Sequence, residues 1–241
     1  MSAEEAGKGP GAGIVLPVDG PAGSGKSTMA RRIADLLGWD YLETGALYRA
    51  VGLGVLEAGE NPDPEKALRH AQNLDFVCRR EPGEEGRWRN FLAGRDVTDL
   101  LREERVSDAA SRVSSLPGVR ASLLGFQRRF GRGRGAVLDG RDIGTVVFPE
   151  ARLKFFLDAG IEVRIERRFA ELRERGIEFD PKSLGEDIRR RDRRDREREV
   201  SPLRPAEDAE LIDTTHLDVD RVLSIMLEKI RSVYGELIEL R

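Results

Sequence analysis

The chain has 241 residues and carries 41 Lys and Arg against 44 Asp and Glu, a net charge of −3; this allows one sizeable α/β domain with a real core and gives no general attraction to nucleic acid or anionic membrane. Its one cysteine, Cys78, excludes an internal disulfide framework and a thiolate metal site and fits a reducing cytosol. No run approaches the roughly 20 apolar residues of a membrane span and the N-terminus lacks an apolar signal core, so the simplest expectation is a cytoplasmic protein.

Residues 1–13 are Gly, Ala and charge with little to bury, and read as a disordered tail. Ile14, Val15, Leu16 and Val18 then predict a strand, although Pro17 offers no N–H to a central ladder. It leads into Gly20-Pro21-Ala22-Gly23-Ser24-Gly25-Lys26-Ser27-Thr28, a complete G-x-x-x-x-G-K-S pattern. Glycines at 20, 23 and 25 let successive backbone N–H groups turn inward around phosphate oxygens, and the following helix adds its positive end. Lys26 is placed for the β- and γ-phosphates and Ser27 for a Mg²⁺ ion. With a strand before it and a helix after it, the pattern predicts binding of a nucleoside triphosphate.

Met29, Ala30, Ile33, Leu36 and Leu37 recur at helical spacing up to Gly38. Trp39 to Glu43 reads as a second strand, and Thr44 as the cap of a helix running to Gly59 with Leu47, Ala50, Val51 and Val55 inward. This alternation marks a parallel sheet covered on both faces. Residues 61–98 break it. A short helix (65–73), the strand Phe76-Val77-Cys78, a turn at 82–86, a strand at 87–92 and an Ala93-Gly94 connection into 95–97 spell an antiparallel meander, read as a small lobe that moves over a substrate.

Two helices follow, 105–116 and 119–130, broken at Pro117-Gly118. Strands are expected at Ala136–Asp139, Arg152–Asp158 and Ala209–Asp213, with a charged helix at 162–175 and a closing helix capped by Asp218. That makes five core strands. Asp139 ends a buried strand where such proteins often place a carboxylate near Mg²⁺, and it is equally suited to orienting the loop that follows.

Residues 187–199 read DIRRRDRRDRERE. As a helix they place Asp187, Arg191, Asp195 and Arg198 in one stripe, and arginines on a mobile segment suit the charge of a migrating phosphoryl group. The same alternation is also what a solvated, salt-bridged helix face looks like. RNA binding is weakened by the interspersed acids and the lack of aromatics for stacking. His70, His216 and Cys78 have no partner spacing that suggests catalysis or metal.

With these residues in view the chain resembles the bacterial cytidylate (CMP) kinases from about Ile14 to its C-terminus. The resemblance is carried by V-D-G-P-A-G-S-G-K-S-T (18–28), E-T-G-A-L-Y-R (43–49), D-G-R-D-I-G-T-V-V-F-P (139–149) and R-D-x-x-D-R-x-R-x-V-S-P-L (191–203). It implies the P-loop nucleoside monophosphate kinase fold: a five-stranded parallel sheet flanked by helices, a monophosphate-binding insert at 61–98 and an Arg-rich lid at 183–204 within a domain spanning 14–241. It implies ATP as donor with Mg²⁺, and CMP or dCMP as acceptor. Thr44, Tyr48 and Arg49 match the family's monophosphate-binding segment, with Arg49 on the CMP phosphate, where a planar guanidinium holds two oxygens at once. Arg141 resembles a second phosphate ligand and Asp142 the acceptor for the cytosine amine. Ser111 and Arg120 match positions that complete base recognition, Arg191 and Asp195 resemble sugar ligands, and Arg198 a residue reaching the nucleotide.

The expected chemistry is direct in-line transfer, with Lys26, Arg191 and Arg198 catalytic. A kinase for another nucleoside monophosphate or a small hydroxylated metabolite, and a nucleotide-dependent RNA-binding protein, are the alternatives. A monomer with no nucleic-acid or membrane partner is the simplest assembly.

Overall fold

The computed structural model describes residues 11, 13–59, 63–81, 87–131 and 133–235. All of the tail expected at 1–13 except Gly11 and Gly13, residues 61 and 62 of the insert, and the turn expected at 82–86 lie outside them.

In chain order, β1 (Val15–Asp19) and the phosphate loop lead to α1 (Lys26–Leu37), β2 (Asp40–Glu43), α2 (Thr44–Glu57) and α3 (Pro64–Gln72). β3 (Phe76–Arg80), β4 (Trp88–Leu92) and β5 (Arg95–Asp96) follow, then a 3₁₀ turn (Leu100–Arg102), α4 (Glu104–Val113) and α5 (Pro117–Phe130). β6 (Ala136–Gly140), one turn of π-helix (Ile143–Val147), β7 (Phe155–Asp158), α6 (Ile161–Glu174), α7 (Pro181–Arg196), β8 (Glu210–Asp213) and α8 (Val219–Tyr234) complete it.

Five strands form one parallel sheet in the order β2-β6-β1-β7-β8, and β3-β4-β5 form a separate antiparallel sheet. Alternation along the central strands divides their side chains between two cores. Val15, Leu42, Ala136 and Leu138 pack with α2, α4 and α5 on one face. Leu16, Val18, Tyr41 and Val137 pack with α1 and α8 on the other. Each fully buried Leu or Val contributes roughly 1.5–3 kcal/mol of transfer free energy.

Pro17 does not break β1. The β1–β6 register runs unbroken through Pro17 opposite Leu138, and β7 joins only from Val18 onward, so at the proline only one strand is a ladder neighbour. Three other local expectations shift. Thr44 is the first helical residue and Glu43 the cap position, the Thr44 hydroxyl donating instead to the Asp139 carbonyl at 2.8 Å. Pro117 opens α5 as its first residue, where a missing N–H has no cost. The strand expected from Arg152 begins at Phe155, where pairing with β1 and β8 starts. Asp63, Asp180 and Asp218 each cap a helix N-terminus by accepting backbone N–H bonds.

Candidate active site

The phosphate loop sits at the C-terminal edge of the sheet, the end where open parallel sheets bind ligands. At Gly20, with φ +150°, a Cβ would lie 2.0 Å from the Leu157 carbonyl oxygen on β7, so no side chain fits. Four successive carbonyls of the loop are held from outside or below. Pro21 accepts from Lys26 Nζ (3.0 Å), Ala22 from Arg164 (3.1 Å), Gly23 from Arg167 (3.3 Å) and Ser24 from the Thr214 hydroxyl (3.0 Å). These bonds to its carbonyls fix the shape of the loop. Gly25 has φ +86° and open space where a Cβ would stand, and Ser24 Oγ is buried with no hydrogen-bond partner among the described residues. These features fit a cradle for phosphate oxygens.

Lys26 is buried, and its ammonium pKa falls to about 7, first through burial and then through Arg141. The negative charge of a phosphate chain would push that pKa back up. The Ser27 hydroxyl hydrogen-bonds the Asp139 carboxylate, which also accepts from Tyr41 Oη at 2.9 Å. Asp139 thus stands beside the expected metal position while its main-chain carbonyl anchors Thr44. No group of three His, Cys, Asp or Glu is placed to cage a metal among the described residues. That fits a Mg²⁺ held mostly by nucleotide phosphates and water, with one or two protein oxygens.

Facing the loop is a convergence of guanidinium groups from four segments. Arg49 of α2 is paired with Glu43, which also takes Arg31 at 3.1 Å. Burial acts to raise the Glu43 pKa, but Arg49 and then Arg31 pull it down to about 2. Arg141, just after β6, donates from Nε to Asp195 at 2.8 Å. Burial and the neighbouring Arg49 and Arg141 lower the pKa of Arg191. Arg198 is depressed chiefly by burial, and its Nη2 has no hydrogen-bond partner among the described residues although Asp195 lies 3.9 Å away. The charges of Arg141 and Arg49 both act on Lys26, which brings the phosphate loop within electrostatic reach of these guanidinium groups.

Deeper on the same side, Arg120 and Asp142 form an ion pair in which each side chain is only 8% exposed. Arg120 also stands 5.5 Å from the Tyr48 ring centroid and donates to the Ser114 carbonyl at 3.1 Å. Ser111 Oγ accepts from Arg194 of α7 at 2.6 Å. Contacts link several of the candidate acceptor residues, Arg141 to Asp195, Arg120 to Asp142 and Tyr48, while Asp187 leaves the expected stripe and pairs with Arg190 at 2.6 Å. Arg198 lies two residues beyond the end of α7 and stays beside the stripe through Asp195, whose carbonyl accepts from its Nε at 3.4 Å.

Several contributors were not legible in the residue pattern. Glu43 and Arg31 orient Arg49, Arg164 is paired with Asp192 and braces the loop, and Arg194 reaches Ser111. Asp19 is buried at the end of β1, accepting from the N–H groups of Ile143 and Gly144 at 2.9 and 2.7 Å. Burial raises its pKa to about 7 against the pull of those bonds, and Asp142 adds to the rise while Arg141 opposes it.

The ordinary value is 3.8, so between the two values the native state holds a proton that the unfolded chain has lost, and stability falls as pH rises. In denaturant titrations, wild type should lose about 1.4 kcal/mol per pH unit relative to Asp19→Asn from about pH 5 to 7, then level off. A difference that stays constant over that range would mean that Asp19 is ionised throughout.

The Cytidylate kinase family model matches residues 16–232. The chain belongs to the cytidylate kinase family. Among curated proteins, the cytidylate kinase of Paramagnetospirillum magneticum is 47% identical over 218 residues, covering 88% of this chain and 95% of the relative. That of Methylococcus capsulatus is 43% identical over 219 residues, covering 90% and 97%. That of Pseudomonas aeruginosa is 44% identical over 218 residues, covering 90% and 95%. The span matched to the cytidylate kinase model contains every candidate residue from Gly20 to Arg198.

Proposed function

We propose that this cytidylate kinase family member transfers the γ-phosphoryl group of ATP to CMP or dCMP, giving ADP and CDP or dCDP. The observation that carries the reading is the meeting of Arg49, Arg141, Arg191 and Arg198 opposite Lys26, beside the Arg120–Asp142 pair. Four guanidinium groups and an ammonium repel one another, Glu43 and Asp195 neutralise only part of that charge, and the excess favours a strongly anionic ligand.

The loop from Gly20 to Thr28 would hold the ATP phosphates. Ser27, with Asp139 behind it, would hold Mg²⁺, whose charge when bound offsets that of the phosphate oxygens. Lys26 would stabilise the migrating group, and Arg191 and Arg198 would close over it. Arg49 and Arg141 would exchange their carboxylate partners for the acceptor phosphate, holding it in line. Asp142, Arg120 and Ser111 would read the base, Tyr48 and Thr44 would line the acceptor segment, and Asp195 with Arg191 would take the sugar. No histidine base is required, since the attacking phosphate oxygen is already anionic. Closure of segments 61–98 and 183–204 would exclude water and limit wasteful hydrolysis.

The outer arginines of α7 favour this over RNA binding. Arg189 pairs with Glu162, Arg190 with Asp187 and Arg196 with Asp158, which cancels the outward field. Among the described residues no helix is long and apolar enough to cross a membrane. The large exposed apolar side chains Val77, Ile177, Val200, Leu211 and Val219 fall on separate elements, which supports a monomer, and we place it in the cytoplasm. ADP formation from ATP and Mg²⁺ with CMP, dCMP, UMP or AMP tests the reading. CMP and dCMP should lead clearly, whereas equal rates with UMP or a lead for AMP would transfer the assignment to another monophosphate.

A further inference from the structure

Asp19 ends β1 one residue before the phosphate loop, yet its side chain is turned away from that loop. Leu16 and Val18 point to the core shared with α1, whereas Val15 faces the core shared with α2 and α4, and alternation puts Asp19 on the Val15 side. There its two carboxylate oxygens take consecutive backbone N–H groups, Ile143 on Oδ1 and Gly144 on Oδ2. Those two residues open the π-helical turn that directly follows Arg141 and Asp142.

The first N–H groups of any helical turn have no partner within it. In this turn the later amides of Val146 and Val147 return to the Asp142 carbonyl at 2.9 and 3.3 Å, and no side chain of the turn's own flank caps the start. The cap comes from 124 residues away, across the β1–β6 pair in which Asp19 stands opposite Gly140. The fit is close, because a Cβ at Gly144 would lie 3.0 Å from Lys154 Cδ and 3.4 Å from Asp19 Oδ2.

We infer that Asp19 is a positioning residue for acceptor recognition, its carboxylate fixing the π turn that aims Arg141 and Asp142 into the cleft. The inference builds on the assignment of those two residues to CMP. Asp19 touches neither substrate. It acts by holding two consecutive amides, so that the side chains just before them keep one direction.

Asp19→Asn keeps the size but replaces one acceptor oxygen with an NH₂ group facing a backbone N–H. At pH 8 the KM for CMP should rise about ten-fold and the CMP-over-UMP ratio of kcat/KM should fall several-fold. The KM for ATP should stay within about two-fold, a split that simple loss of folded protein does not produce. In an Asp142→Asn background, adding Asp19→Asn should leave the base ratio unchanged, because the first change works through the second. Gly144→Ala, whose methyl presses on Lys154 and Asp19, should give the same acceptor-selective pattern and serves if Asp19→Asn fails to fold.

Equal increases in KM for ATP and CMP would overturn the inference and attach Asp19 to the phosphate loop. So would a variant of lower thermal stability with wild-type kinetic constants. If Asp142→Asn itself leaves the base ratio of the wild type intact, the assignment of Asp142 is what fails. If Asp142→Asn abolishes the ratio while Asp19→Asn and Gly144→Ala retain it, only the positioning role is refuted.

Discussion

Replacing Lys26 by Met should lower kcat with ATP and CMP by at least about 10²–10³-fold, the loss typical of removing one preorganised donor from a developing charge. The fold should survive. Lys26 is buried with its pKa pushed down to about 7, so its charged form is disfavoured, and its ammonium donates to the Pro21 carbonyl. A methionine of similar length removes that tension and fills the space, so thermal stability should be equal or higher. The prediction thus has two arms, kinetic collapse without structural collapse. Near-normal turnover in a folded variant would remove Lys26 from the chemistry, and unfolding of the variant would contradict the stability arm.

Asp142→Asn should reduce the preference for CMP over UMP by about 10- to 100-fold, and UMP should become a comparable substrate. Cytosine presents an amine where uracil presents a carbonyl, so a buried carboxylate favours the first and repels the second. Asparagine can present an N–H to the carbonyl instead. Asn is a cleaner test than Ala because Arg120 and Asp142 are both buried in one ion pair. Either change removes the counter-charge of Arg120, but Asn keeps a side-chain oxygen for the guanidinium to donate to, whereas Ala leaves it with neither, and breaking a buried pair costs about 3–5 kcal/mol and confounds kinetics with folding. Steady-state constants for both nucleotides, with a melting curve for each variant, decide it. An unchanged ratio in a folded Asp142→Asn protein would move base recognition elsewhere.

The parts of this site that could be read from the chain are those whose geometry is local. The phosphate loop needs a strand, glycines at fixed offsets and a helix, all within twenty residues, and it is built as its spacing implies. The five parallel strands and the antiparallel meander announce themselves through hydrophobic patterns and turn residues. The candidate acceptor residues Arg49, Ser111, Arg120, Arg141 and Asp142 come from segments far apart, and in the sequence only their resemblance to the family joins them.

What stayed hidden were contacts made across the sheet or between helices. Nothing near Asp19 signals that it caps a turn 124 residues later, and five residues of π-helix have no periodicity to detect. Glu43 stands next to Thr44 in a recognisable motif, but its double pairing with Arg31 and Arg49 depends on how α1 and α2 pack. Thr44 was a natural helix cap by type, and lost that role because the Asp139 carbonyl offered its hydroxyl a buried acceptor. Asp187 fits an ideal helical stripe, yet Arg190 one turn on takes its carboxylate.

The central claim is direct transfer between two nucleotides held in one cleft. It is tested most directly by incubating the protein with γ-labelled ATP, Mg²⁺ and CMP, then separating nucleotides from protein. The label should appear in CDP, with one ADP formed per CDP and none of the label retained on the protein. Label recovered as inorganic phosphate whether or not CMP is present, or bound covalently to the chain, would contradict the account.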